Sequence, residues 1–252
     1  LLIRIFFIHL FIAGLITGLS AQPESAHVSY FESKFSPEEK TIYYKLGDRT
    51  IPVIISQYGA DKDIAYVNVH DSEPTSVTAA RRILETTGGT LIRIENRRQR
   101  NIQFKLKGQL YTFDPNRIFD KTGIVQTLKT FGRTNADAIN EIEKFAQRLL
   151  ELIPSETGCI VALHNNTDGA YSVKSYLPSG DRHHDAKAVY ANHEQDIDDI
   201  ALTTDSVLYQ RMANEGYNSI WQHNKKAKRD GSLSIYCGEK DIRYINIETQ
   251  LG

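Results

Sequence analysis

Three apolar runs in this 252-residue chain end in side chains that can do chemistry. Ile64–Val69 leads into His70-Asp71-Ser72-Glu73, Cys159–Leu163 into His164-Asn165-Asn166, and Ile242–Ile247 into Glu248. Two imidazoles and one carboxylate are the protein ligands of several hydrolytic zinc sites, with water in the fourth position. Glu248 is then left as a carboxylate that can point at the same pocket, as a general base beside activated water must. His70 and Glu73 lie one turn apart where a strand gives way to a helix, so both can face one point. A lone His-x-x-Glu is a weak signal in a chain with eight histidines; three such strand ends in one chain are more specific.

The elements that must position these groups alternate. After residues 22–60, which read as a β-rich extension (His27–Phe31, Thr41–Leu46, Ile51–Ile55), comes the strand Ile64–Val69. A helix follows over Ser76–Thr87, ended by Gly88-Gly89, then a strand over Thr90–Ile94 and a hairpin over 102–113. Residues 135–153 have the clearest helical periodicity, with Asn135 as cap and Pro154 as stop. Cys159–Leu163 is a strand, 165–193 a long polar loop, Ser206–Glu215 a helix capped by Asp205, and Ile242–Ile247 the last strand. Such alternation predicts an α/β fold: a central mixed, largely parallel sheet covered by helices. In these sheets ligands bind beyond the carboxyl ends of the strands, where the reactive residues fall.

In this order, His70-Asp71-Ser72-Glu73, Asp114-Pro115-Asn116-Arg117-Ile118-Phe119, Ala162-Leu163-His164 and Ile247-Glu248 resemble the zinc carboxypeptidase (carboxypeptidase A-like) superfamily, which includes succinylglutamate desuccinylase and aspartoacylase deacylases. The resemblance covers roughly residues 60–252. It implies one Zn2+ per chain on His70, Glu73 and His164, with Asp114 accepting from the other ring nitrogen of His70. It implies that Asn116 and Arg117 hold a substrate carboxylate, for which the planar guanidinium fork is suited. Glu248 would be the general base and then the acid to the leaving amine. An arginine upstream of Asn116 would polarise the scissile carbonyl. Arg97, Arg98 and Arg100 compete for that role, and Arg100 is favoured because it opens the alternating run Ile102-Phe104-Leu106. The implied substrate is a peptide or an N-acyl amino acid with a free carboxylate.

The chain also departs from the family. Pro115 stiffens the approach to Asn116 and Arg117. The family's loop tyrosine has four candidates here, Tyr171, Tyr176, Tyr190 and Tyr217. Glu73-Pro74-Thr75 is similar to the deacylase branch, which keeps N-acyl amino acid deacylation open beside peptide cleavage. A binding protein without catalysis, on the same fold, is a third reading. His183, His184 and His193 lie among Asp181, Asp185 and Glu194, and read as a solvated or substrate-facing loop rather than a second metal site.

Composition sets the frame. Thirty Lys and Arg against 31 Asp and Glu give a net charge of −1, which speaks against a nucleic-acid binder. Residues 1–21 have the layout of a secretory signal: Arg4, an apolar core, then Gly18, Ser20 and Ala21. Its apolar core is shorter than the roughly 20 residues a membrane span needs. The expected organisation is a signal peptide over 1–21, the β-rich extension over 22–60 and a hydrolase domain over 61–252, exported to the periplasm or medium. Uncleaved, the signal would be a membrane anchor. Cys159 and Cys237 read as buried thiols; whether they bond is left open.

Overall fold

The computed structural model describes residues 32–166 and 171–250. The signal-like segment and the strand expected over His27–Phe31 lie outside the described residues. Nine strands form one sheet in the order β1-β2-β4-β3-β7-β11-β9-β10-β8. They are β1 Pro37–Leu46, β2 Arg49–Tyr58, β3 Ile64–Asn68, β4 Gly89–Ile94, β7 Cys159–Asn166, β8 Ala186–Tyr190, β9 Ile200–Thr203, β10 Ser219–Gln222 and β11 Tyr244–Gln250. The central run β4-β3-β7-β11 is parallel. Antiparallel pairs join β2 to β4 on one side and β9 to β11 on the other, so the sheet is mixed. A separate hairpin, β5 Ile102–Leu106 and β6 Gln109–Phe113, has its own register. Residues 37–58 are therefore two strands of the main sheet, with β2 hydrogen-bonded to β4.

Alternation along the central strands sends side chains to two cores, one on each face. Ile64, Tyr66, Val161, Leu163, Ile245 and Ile247 point to one face. Helices α1 (Pro74–Thr87) and α4 (Ser206–Asn214) cover it, through Ala80, Ile83 and Leu84 and through Leu208 and Met212. Val67, Ile92, Ile160 and Ala162 point to the other. Helices α2 (Lys121–Thr130), α3 (Ala136–Glu151) and α5 (Leu233–Glu239) pack there with the hairpin. Helix α3 shows the physics most plainly. The Asn135 carboxamide oxygen accepts from the Ala138 N–H at 2.7 Å, and Ala138, Ile142, Phe145 and Leu149 recur on its buried side.

Five helices and strands were not expected from the sequence. Helix α2 has Gly123 in its first turn and three threonines, a poor helical composition. Strands β9 and β10 are only four residues each, and α5 only seven. The loop expected over 165–193 contains β8 and two 3-10 turns, Val173–Tyr176 and His183–Asp185.

Cys159 and Cys237 are both buried and free, and they belong to cores on opposite faces of the sheet. Burial pushes the Cys159 thiol up to about 12 and raises that of Cys237 as well. No helix among the described residues is long and apolar enough to cross a membrane.

Candidate metal centre

Parallel strands β3, β7 and β11 bring their carboxyl ends to one edge of the sheet. Beyond β3, the chain turns so that the Glu73 N–H donates to the His70 carbonyl at 3.1 Å, which folds the two side chains onto one point. Glu73 occupies the position before helix α1, yet its carboxylate does not cap that helix. It is turned into the site instead, and Pro74, which has no N–H to satisfy, opens the helix. Along β7 and β11 the register sets His164 opposite Glu248, on the same face of the sheet.

His70 Nδ1 and His164 Nδ1 stand 3.2 Å apart. Glu73 reaches both, with Oε1 at 3.1 Å from His70 Nδ1 and Oε2 at 2.9 Å from His164 Nδ1. All three residues are buried, and they form a group that could hold a metal ion. The separations fit. A tetrahedral ion with bonds of about 2.1 Å keeps its ligand atoms about 3.4 Å apart. The chemistry fits too, because both facing ring nitrogens lie against the Glu73 carboxylate, a donor set that a cation can take over once their protons leave. His70 Nε2–H donates to Asp114 Oδ1 at 2.7 Å, so the proton that a cation would displace is the one on Nδ1.

The electrostatics follow from this packing. Burial would raise the Glu73 carboxyl, but hydrogen bonds from His164 and His70 outweigh it and hold the pKa far below the usual range. Asp114 is depressed in the same way, burial being overcome by His70 and by the charges of Arg100 and Arg117. Burial alone would lower His70; its bonds to Asp114 and Glu73 prevail and raise it.

The remaining expected residues fall around this centre. Arg100, not Arg97 or Arg98, faces it: the guanidinium is ion-paired with Glu73 and lies 3.5 Å from Asp114 Oδ2. Arg97 and Arg98 have positive φ angles of 56° and 58°, and Asp71 Oδ2 accepts from the Asn96 and Arg98 N–H groups at 2.7 Å. This anchoring role of Asp71, inside the His-x-x-Glu segment, had not been expected from the sequence. Asn116 and Arg117 sit in the 3-10 turn Pro115–Arg117, which Asp114 caps by accepting from the Asn116 N–H at 2.8 Å. Pro115 thus starts a turn that needs its fixed φ. Asn116 Oδ1 accepts from the Leu233 N–H at 3.1 Å, and its Nδ2 lies 3.4 Å from His164 Nε2. Arg117 lies 3.6 Å from Asp230.

Glu73, Arg100, Asn116, Arg117, His164 and Glu248 share one open cleft of about 570 Å³. Of the four candidate tyrosines, Tyr171 and Tyr176 line it, their hydroxyls hydrogen-bonded to each other. Arg182 stacks over the Tyr171 ring at 5.1 Å and also faces the cleft. Their contribution was hidden in a stretch that reads only as polar loop. The His183 and His184 rings lie 3.6 Å apart, tilted by 42°, and His183 Nδ1–H donates to the Gly180 carbonyl.

No family model matches the sequence, and no curated protein does. Among solved structures, the chain is similar to LapA of Legionella pneumophila (TM-score 0.37, 11% identity, covering 84% of this chain and 49% of that one). It is also similar to an aspartoacylase family protein of Mesorhizobium loti (TM-score 0.40, 13% identity, 88% and 64%). A third is a putative succinylglutamate desuccinylase/aspartoacylase family protein of Shewanella amazonensis (TM-score 0.30, 9% identity, 82% and 73%). The chain thus spans about half of the first structure and under two thirds of the second. These are remote likenesses of architecture, and the structural neighbours include aspartoacylase and succinylglutamate desuccinylase family proteins.

Proposed function

We propose that this chain is a zinc-dependent hydrolase that cleaves an amide or peptide bond next to a free carboxylate. The observation that carries the reading is the convergence of His70 Nδ1, His164 Nδ1 and the Glu73 carboxylate behind a cleft whose wall Glu73 and His164 share with Glu248 and Arg117. Zinc bound by these three residues would supply Lewis acidity and a water made acidic enough to attack at neutral pH. The chain's own residues do the rest. Arg117 and the Asn116 amide anchor the substrate carboxylate and so fix where the scissile bond lies. Arg100 donates to the scissile carbonyl oxygen as negative charge grows on it. Glu248 takes the proton of the attacking water on a carboxylate oxygen and returns it to the departing amine nitrogen. The Asp114 carboxylate keeps the His70 proton on Nε2.

Peptides and N-acyl amino acids both present a free carboxylate beside an amide, so one site serves either. The signal-like composition of residues 1–21 supports an exported enzyme, which cell fractionation would test. The catalytic reading is tested with zinc-loaded protein on peptides and N-acyl amino acids, each compared with its carboxyl-amidated counterpart. Hydrolysis of the free acids, lost with amidation and reduced by about 10²–10⁴ in Glu248→Gln, is expected. Equal turnover of amidated substrates, or an unimpaired Glu248→Gln variant, would contradict it.

A further inference from the structure

The floor of the cleft continues past Glu248 toward the amino end of β11, where Asn246 projects from the same face of the sheet. Asn246 is buried, with 8% of its surface exposed. Its Nδ2 donates to Glu248 Oε1 at 3.0 Å. A carboxylate oxygen only accepts, so this bond decides which way the amide faces. Asn246 Oδ1 is left as a buried acceptor with no hydrogen-bond partner among the described residues. Buried acceptors are normally satisfied, and an orphan on the wall of a binding cleft marks where a ligand donor belongs. The surroundings are polar, with the Glu248 carboxylate beside the amide. Asn246 lies opposite Leu202 of β9, and Gln222, Ser232 and Ser234 line the same cleft. Gln222 Nε2 donates to the Ser234 carbonyl at 3.0 Å, which joins β10 to the start of α5 around this floor.

We infer that Asn246 is a specificity-determining residue whose Oδ1 accepts a hydrogen bond from a side-chain donor, such as an amide N–H or a hydroxyl, on the substrate residue that carries the free carboxylate. The inference rests on the carboxylate-anchoring reading of Arg117 above. It assigns Asn246 two tasks: Nδ2 steadies Glu248, and Oδ1 selects the substrate. A site built to pair a donor rejects an analogue that lacks one, because the acceptor is then left unpaired.

The test is binding of L-glutamine, L-methionine and L-glutamine amide to the zinc-loaded full chain, by titration calorimetry, in wild type and in Asn246→Leu and Asn246→Ala. Methionine is close to glutamine in shape without its donor, and the amide lacks the carboxylate. Glutamine is expected to bind wild type about five- to tenfold more tightly than methionine, the size of one hydrogen bond. The ratio should fall to about one in either variant. Equal binding of glutamine and methionine by wild type, or a preference that survives in a folded variant, overturns the role of Asn246. If glutamine amide is still weak, that failure leaves the Arg117 reading standing. Glutamine amide binding as well as glutamine removes the carboxylate anchor itself, and binding of none of the three removes both.

Discussion

At the scale of single residues, the centre is a balance of one carboxylate, two imidazoles and their partners. The raised pKa of His70 has a defined sign. In the metal-free chain its stabilising contribution is fully present below the unfolded value of about 6.5 and fades as pH rises through the folded one. Glu73 and Asp114 are depressed, so their contributions are present above unfolded values of about 4 and are lost as pH falls through the folded ones. A cation at His70 Nδ1 displaces a proton that the site holds firmly, so metal binding releases protons. Zinc affinity is therefore expected to rise by roughly tenfold per pH unit below the His70 pKa. Calorimetric titrations at pH 6 and pH 8 check this, and equal affinities at both would contradict it. The thiols offer a simpler check. With both cysteines buried and their pKa values raised, native protein should not react with a thiol reagent at neutral pH, and unfolded protein should react at two sites.

At the scale of elements, the approach of α2 to the segment before α5 holds Arg117 in place. A Cβ built on Gly123 would lie 2.4 Å from Gly231 Cα and 2.7 Å from the Arg117 carbonyl. These are backbone atoms that cannot rotate away, and the Phe119 N–H donates to the Gly231 carbonyl at 2.9 Å beside them. Gly123→Ala is expected to cost about 1–3 kcal/mol of stability and to weaken ligand binding through Arg117. A variant with wild-type melting and affinity would show that the contact is slack. The same region shows what the sequence conceals. The strand ends at His70, His164 and Glu248 and the caps at Asn135 and Asp205 were legible, because periodicity and capping are local signals. Helix α2 was not, because Gly123 is explained only by the Gly231 turn more than a hundred residues away. Asn246 likewise reads as one more residue of a strand until Glu248 is seen beside it. His164 and Glu248 also lie two residues short of their strand ends, since β7 runs on to Asn166 and β11 to Gln250.

At the scale of the whole molecule, the sheet carries the centre, and β1 and β2 are part of that sheet rather than a removable leader. Leu46, Ile51, Val53 and Tyr58 are buried there, and β2 is hydrogen-bonded along β4. At about 1.5–3 kcal/mol for each buried side chain, the hairpin contributes roughly 6–12 kcal/mol, comparable to the net stability of a domain. A chain starting at residue 60 is therefore expected to be insoluble or to lack a cooperative melt. A soluble truncate that melts as wild type does would instead make the hairpin dispensable. Export would leave this core untouched, because residues 1–21 precede the first described strand.

The most direct test of the account is the zinc content of the purified chain, with His164→Ala measured beside wild type. About one zinc per chain, lost in the variant while its fold persists by circular dichroism, is the result the convergence of His70, Glu73 and His164 predicts. No zinc in wild type after reconstitution, or equal zinc in both proteins, would contradict it.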